Sequence, residues 1–566
     1  MKFILIMSVA VIAGLLAALP GLGDSSASDS PEDDLAPEFD RSGDAIKSSG
    51  RGFVQLPQGL TDDDFQHFYT DYLGARILPK AWFFALEDVT TGKLLSDKES
   101  LKAIGALYEE GRDIPIGLAE GDGPGGKWLG NNCAFCHTTE ISYKGTTMRV
   151  VGGTGKMALN SFVTKKVLAS IMATATDDRR FADFADRLLT KGSPASARDG
   201  LRTAINGTTL TVKPYLDSVA QLLPVDDGPG RLASNAKQVQ FLAAQLDPRN
   251  IHVESGYVTV PAIWKSNEYR WMHFNQNNES RVARNALDWS GFDAFFSPTS
   301  TKFAYMPEEM HWSSESFVAK VQPPAWPEHI LGTINHPAAD RGAKTYSKLC
   351  SSCHTPKSDG KYLIANMFDF KDIGTDPAYI DSQYDVDPKS GKRIERQVFT
   401  GALAATVFAD ATGKPRPQVG MYDFFKVMSQ RIMDERYKEL GKTDPRFLDA
   451  AFQSSIQGGR INQTRKTDGY TAKPLLGIWA TAPYLHNDSV ANLYELFLPA
   501  AKRAKKFRIG GDFQPKVVGY DIRGTVGYEF DTHPVGNSNA GHEGPAFGTT
   551  LSNSDRLDLI EYLKTL

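Results

Sequence analysis

Cysteine is nearly absent. The 566-residue chain holds four: Cys133, Cys136, Cys350 and Cys353. None is left over for a disulfide framework or a solitary reactive thiol. Basic charge is not in excess either. Lys and Arg number 63 against 67 Asp and Glu, a net charge of −4. Nothing there neutralises a phosphate backbone, so nucleic acid is excluded as an expected partner. After the first twenty residues no apolar run is long enough to cross a bilayer. Strand-like stretches are also scarce, with Thr208 to Lys213, Tyr257 to Val260 and Val517 to Tyr520 as the candidates. What is plentiful is glycine and proline, 50 and 31 residues, which forecast long loops. With 41% hydrophobic and 23% charged residues, the chain is otherwise ordinary globular material.

The amino terminus reads as an address. Met1-Lys2 precedes the apolar run Phe3 to Leu19 and the exit Pro20-Gly21-Leu22-Gly23. That is the order of a secretory signal, here residues 1–23, with cleavage after Gly23 or Ala27. The run is also long enough for an uncleaved anchor. Residues 24–50 are acidic, small and polar, and read as a flexible tether. A periplasmic or secreted location in a bacterium is expected.

All four cysteines fall in two copies of C-x-x-C-H, Cys133-Ala134-Phe135-Cys136-His137 and Cys350-Ser351-Ser352-Cys353-His354. Two thiols a helical turn apart can bond both vinyl groups of one haem, and the adjacent His then supplies a nitrogen to the iron. Zinc or a thioredoxin-type pair would not ask for the following His twice. Two covalently bound haem c groups are expected, with His137 and His354 as iron ligands. Apolar residues at helical spacing mark Leu101 to Arg112, Asn160 to Thr174, Phe181 to Thr190, Tyr422 to Lys438 and Asp555 to Leu566. The expected fold is mainly α, with two cytochrome c-like haem domains, long irregular loops and little β. The Pro-rich tract Val321 to Glu328 divides them into an N-terminal haem domain, 51–320, and a C-terminal one, 321–566. Each half far exceeds a minimal single-haem carrier, which argues for an enzyme.

The sixth ligand of a haem decides its chemistry. Two of the other histidines stand out. His542 sits in the small-residue loop Gly536-Asn-Ser-Asn-Ala-Gly541-His542, and His486 in Thr481-Ala-Pro-Tyr-Leu-His486. The segment Lys473 to Tyr494 and the tail Phe530 to Glu543 resemble the dihaem oxygenase branch of the dihaem cytochrome c peroxidase superfamily. That branch includes rubber oxygenases and the oleate 10S-lipoxygenase and diol synthase relatives. Asp227 to Arg231 and Ile373 to Pro377 are similar as well. Asn487-Asp488 departs from the usual Asn-Gly or Asp-Gly, which Asp tolerates because it reaches the left-handed region.

The resemblance implies that the N-terminal haem, on His137, carries dioxygen and is catalytic. It implies a His354 haem closed by His542. It further implies an aromatic residue lining the oxygen site and a Trp between the haems, for which Trp264, Trp271 and Phe274 are the candidates. The expected activity is that of a haem-dependent dioxygenase acting on a carbon–carbon double bond of a lipophilic substrate, an unsaturated fatty acid such as oleate or a polyisoprenoid. Dioxygen and a small periplasmic electron donor are the other partners. A hydrogen peroxide-reducing peroxidase and a dihaem electron-transfer protein are the alternatives.

Overall fold

The structure, a computed structural model, describes residues 52–566, apart from 74–75, 124, 223–224, 233–245, 254–255, 282–283, 286–314, 402–403, 405–406 and 440–462. The expected signal and tether lie outside the described residues. Contacts divide the chain after Arg41, and the unit Ser42–Leu566 is the one treated below. No helix among the described residues is long and apolar enough to cross a membrane.

The mainly α expectation is overturned. Helix accounts for 37% of the described residues and strand for 19%. The strands form small sheets of two or three, so the architecture is mixed. Near the start, β1 (Val54–Gln55) and α1 (Asp62–Thr70) are followed by β2 (Leu78–Pro79), β3 (Leu118–Gly123) and β4 (Gly126–Asn131). Strands β2 and β3 both pair antiparallel with β4. The one-turn helix α2 (Cys133–His137) leads into β5 (Thr138–Tyr143) and β6 (Thr146–Val151). These last two form an antiparallel hairpin, and β1 adds to β6 in parallel. Lys144 and Gly145 turn it, both at positive φ, as a two-residue hairpin loop requires. The expected strands did not include this hairpin, although its Thr- and Val-rich strands of six residues each and its Lys-Gly turn are strand signals.

A π-helical turn, Ser161–Leu168, continues into α3 (Ala169–Thr176), then α4 (Asp178–Leu188) and α5 (Ala195–Leu222). The expected strand Thr208 to Lys213 is the middle of α5. Its threonines satisfy their hydroxyls within the helix: Thr208 Oγ1 donates to Ala204 O (3.1 Å) and Thr209 Oγ1 to Ile205 O (2.9 Å). The helix expected over Leu101 to Arg112 survives only to Lys102. Gly105 and Gly111 then take positive φ, and a Cβ on Gly105 would lie 2.0 Å from Lys156 O. Phe83, Leu101, Phe162, Ile171 and Phe184 belong to the core that these helices share with β3 and β4.

The second half brings β7 (Arg231–Leu232) and β8 (Val258–Thr259), an antiparallel pair. Helix α6 (His336–Leu349) runs into the short α7 (Ser351–His354). Strand β9 (Asn366–Asp369), helix α8 (Met421–Glu439) and strand β10 (Gly469–Ala472) follow, with β9 antiparallel to β10. The carboxyl-terminal helix α9 (Asn553–Leu563) packs on α6. Their approach is so close at Gly342 that a Cβ there would lie 2.0 Å from Asp558 O. Arg341 clamps the same Asp558 through two 2.7 Å bonds. The Pro-rich tract is packed rather than free: Trp479 Nε1 donates to Pro324 O (2.9 Å), and Gln58 Nε2 to Gln322 O (2.9 Å).

Candidate functional site

Helix α2 is too short to persist alone, and its surroundings hold it. The Asn132 side chain caps it by accepting from Ala134 N (2.9 Å) and is itself tied to Asp71 O. The chain after β6 returns beneath it, where Gly155 N donates to Cys136 O (2.8 Å). Gly153 O accepts from His137 Nδ1 at 3.2 Å. A carbonyl can only accept, so Nδ1 carries the proton and Nε2 keeps its lone pair for a metal. The approach of the two backbones requires glycine, since a Cβ on Gly155 would stand 2.2 Å from Cys136 O. Gly155→Val is expected to cost at least about 2 kcal/mol of stability by overpacking backbone against backbone. A lowered urea midpoint at unchanged slope is the measure.

The second motif has the same logic. His354 Nδ1 donates to Lys473 O at 2.7 Å, just beyond the end of β10. Asn366 Nδ2 donates to Cys353 O (2.8 Å) and Thr355 O (2.9 Å), which fixes the exit of α7. Burial lowers the His354 pKa, keeping the ring neutral, and pushes the Cys350 thiol up to about 11.

Opposite His354 stands His542, the two ring centres 6.3 Å apart and the planes 69° to one another. Two iron–nitrogen bonds of about 2.0 Å, each continued by about 1.15 Å to its ring centre, separate two imidazoles across one ion by about 6.3 Å. Burial, with the Arg503 guanidinium nearby, takes the His542 pKa down to about 3, leaving a neutral ring. The backbone of His542 is at φ +57 and its N donates to Ile373 O (3.1 Å). The guanidinium of Arg503 gathers the loop by donating to Gly541 O (2.9 Å) and His542 O (3.3 Å). Arg503 had no signal in the sequence, because its acceptors are main-chain carbonyls.

Both motifs open on one cavity of about 900 Å³. Cys133, Cys136, His137, Cys350, Cys353, His354 and His542 all line it, as do Trp264, Trp271 and Phe274. Val258, Val260, Ile263, Leu475, Ile478 and Phe497 make much of the remaining wall apolar. Trp264 is wedged between two glycines. Cβ atoms on Gly152 and Gly477 would come within 2.9 and 2.8 Å of its ring. Gly152 adjoins the acceptor of His137, and Gly477 lies four residues beyond the acceptor of His354. Trp264 Nε1 is satisfied by Val151 O (2.9 Å). Phe274 meets Tyr470 (5.4 Å), Tyr379 (5.9 Å) and His486 (6.0 Å). Trp271 lies under the Arg465 guanidinium at 3.9 Å.

His486 also lines the cavity but does not face His354 as His542 does. It stacks on Tyr470 at 4.2 Å, and its Nδ1 lies 3.3 Å from Thr375 Oγ1. Beside it, Asp488 takes φ +59, the left-handed conformation expected of that departure. The four segments that carry the resemblance meet here. Arg231 Nη1 donates to Asn487 O (3.3 Å) and Asn537 Oδ1 (2.7 Å), and Ser538 N to Asp376 Oδ2 (3.1 Å). Lys473 is the other residue that sequence reading passed over. Its carbonyl serves His354 and its side chain lines the cavity. The paired thiols, the carbonyl-oriented imidazoles and the His354–His542 spacing together fit haem c.

The RoxA-like, cytochrome c-like family matches residues 469–508, the stretch containing β10, Lys473 and His486. Two proteins of Sinorhizobium fredii are similar in sequence. Uncharacterized protein y4iJ is 29% identical over 557 residues, spanning 86% of this chain and 89% of its own length. Uncharacterized protein y4iM is 26% identical over 275 residues, 44% of this chain and 52% of its own length. A RoxA-like cytochrome c-like segment therefore forms the His354 side of the cavity, and with it comes the binding of haem c.

Proposed function

We propose that this chain is an exported dihaem c-type dioxygenase, with one haem on Cys133 and Cys136 and one on Cys350 and Cys353. Its reaction adds dioxygen to a carbon–carbon double bond of a lipophilic substrate, an unsaturated fatty acid or a polyisoprenoid. The observation that carries the reading is a single, largely apolar cavity into which both C-x-x-C-H motifs open. The haems themselves would fill much of that volume, so what favours an oxygenase over an electron carrier is the apolar wall beside them, Val258, Val260, Ile263 and Phe274.

Bound haem supplies iron that reacts with dioxygen; the chain's residues do the rest. Gly153 O holds His137 in the tautomer that ligates through Nε2. His354 and His542 would together hold the iron of the second haem. Val258, Val260, Ile263 and Phe274 keep water from the reacting double bond and give an alkene an apolar bed. Trp264 bridges the two histidine-bearing regions as a rigid aromatic spacer. A small periplasmic donor would restore the reduced state.

The test is incubation with oleate and with polyisoprene under isotopically labelled dioxygen, followed by mass analysis. Products carrying label in both added oxygen atoms are expected. Unlabelled products with consumption of hydrogen peroxide would instead make the chain a peroxidase.

A further inference from the structure

Among the described residues, one cation of the cavity wall has no acceptor. The cavity is lined by Arg284 and Lys473. Arg284 donates to Glu315 and to Asn285 Oδ1, so its charge is answered. Elsewhere near the wall, Lys156 donates to Ala482 O at 2.8 Å. Lys473 has neither hydrogen bond nor ion pair for its Nζ among the described residues. The Phe274 ring lies 5.9 Å from that Nζ. Lys473 is half-buried in a largely apolar wall, and an ammonium there with no protein acceptor suits an anion bound in the cavity.

We propose that Lys473 binds a carboxylate inside the cavity. The class of anion follows from the surroundings. A dianionic phosphate needs several donors, and Lys473 brings one point charge among apolar walls. A monoanion on an apolar body matches that pairing. Two such bodies belong here: a propionate of the haem attached at Cys350 and Cys353, and the head of a fatty-acid substrate. The first is favoured by chain position, since the carbonyl of the same Lys473 holds His354. The second rests on the dioxygenase reading above.

The experiment uses the haem-loaded protein with Lys473→Met, Lys473→Gln and Lys473→Arg. Two quantities are read: the midpoint potential of each haem by spectroelectrochemistry, and the affinity for oleate and for methyl oleate by titration without turnover. If the carboxylate is a propionate, Met and Gln shift the potential of one haem downward, Arg restores it, and oleate affinity is unchanged. If it is the fatty acid, Met and Gln weaken oleate binding at least tenfold, Arg restores it, methyl oleate binds equally to all, and the potentials stay put. Unchanged potentials and unchanged oleate affinity, in Met or Gln variants with full haem content, would overturn the assignment. The potential arm stands even for a chain that oxidises no alkene, so its failure is separate from that of the proposed function.

Discussion

A chain with Cys133 and Cys136 both replaced by alanine is expected to carry one haem instead of two and to oxygenate at least about a thousandfold more slowly. Helix α2 presents two thiols from one turn, and the Asn132 cap, Gly153 and Gly155 fix where that turn lies. None of these supports involves the sulfur atoms, so the alanine variant keeps its backbone and its His137 orientation. It loses only the thioethers that retain the macrocycle. A haemochrome assay on denatured protein should fall from two haems per chain to one. The mirror change, Cys350→Ala with Cys353→Ala, should also leave one haem while sparing the oxygen-reacting side. A wild-type chain containing zinc and no haem would remove the basis for both expectations.

Much of this site was legible because its chemistry is written in residue types. C-x-x-C-H needs no tertiary information, and neither does a histidine in a loop of Gly, Asn, Ser and Ala that can approach a flat cofactor. The parts that were not legible depend on main-chain atoms. His137 and His354 are oriented by Gly153 O and Lys473 O, and any residue has a carbonyl. The His354 contact joins positions 119 residues apart. Arg503 works through carbonyls of the His542 loop for the same reason. In the fold, α5 was misread over Thr208 to Lys213 because β-branched residues favour strands on average, whereas a hydroxyl bonded to the carbonyl four residues back sits comfortably in a helix. The strand content was missed because ladders such as β9–β10 are four residues long, below the length at which alternation is distinguishable from helical spacing. That short ladder nonetheless delivers Lys473 to His354.

His542→Ala is expected to convert one haem completely from low spin to high spin and leave the other as it was. Two imidazoles with ring centres 6.3 Å apart, both kept neutral by burial, have the spacing that a shared iron would require of its two ligands. Removing one leaves His354 alone on its side, still held by Lys473 O. His486, which also lines the cavity, is held elsewhere: it packs on Tyr470 and its Nδ1 lies 3.3 Å from Thr375 Oγ1. Added imidazole should enter the vacated space and restore the low-spin spectrum, which a general collapse of the fold would not allow. Arg503→Met should act in the same direction but incompletely, since it frees the carbonyls of the His542 loop without deleting the ring. His486→Ala should leave both spin states unchanged. If His542→Ala changes neither spectrum and His486→Ala opens a haem, the axial ligand is His486, and the His354–His542 approach is packing alone.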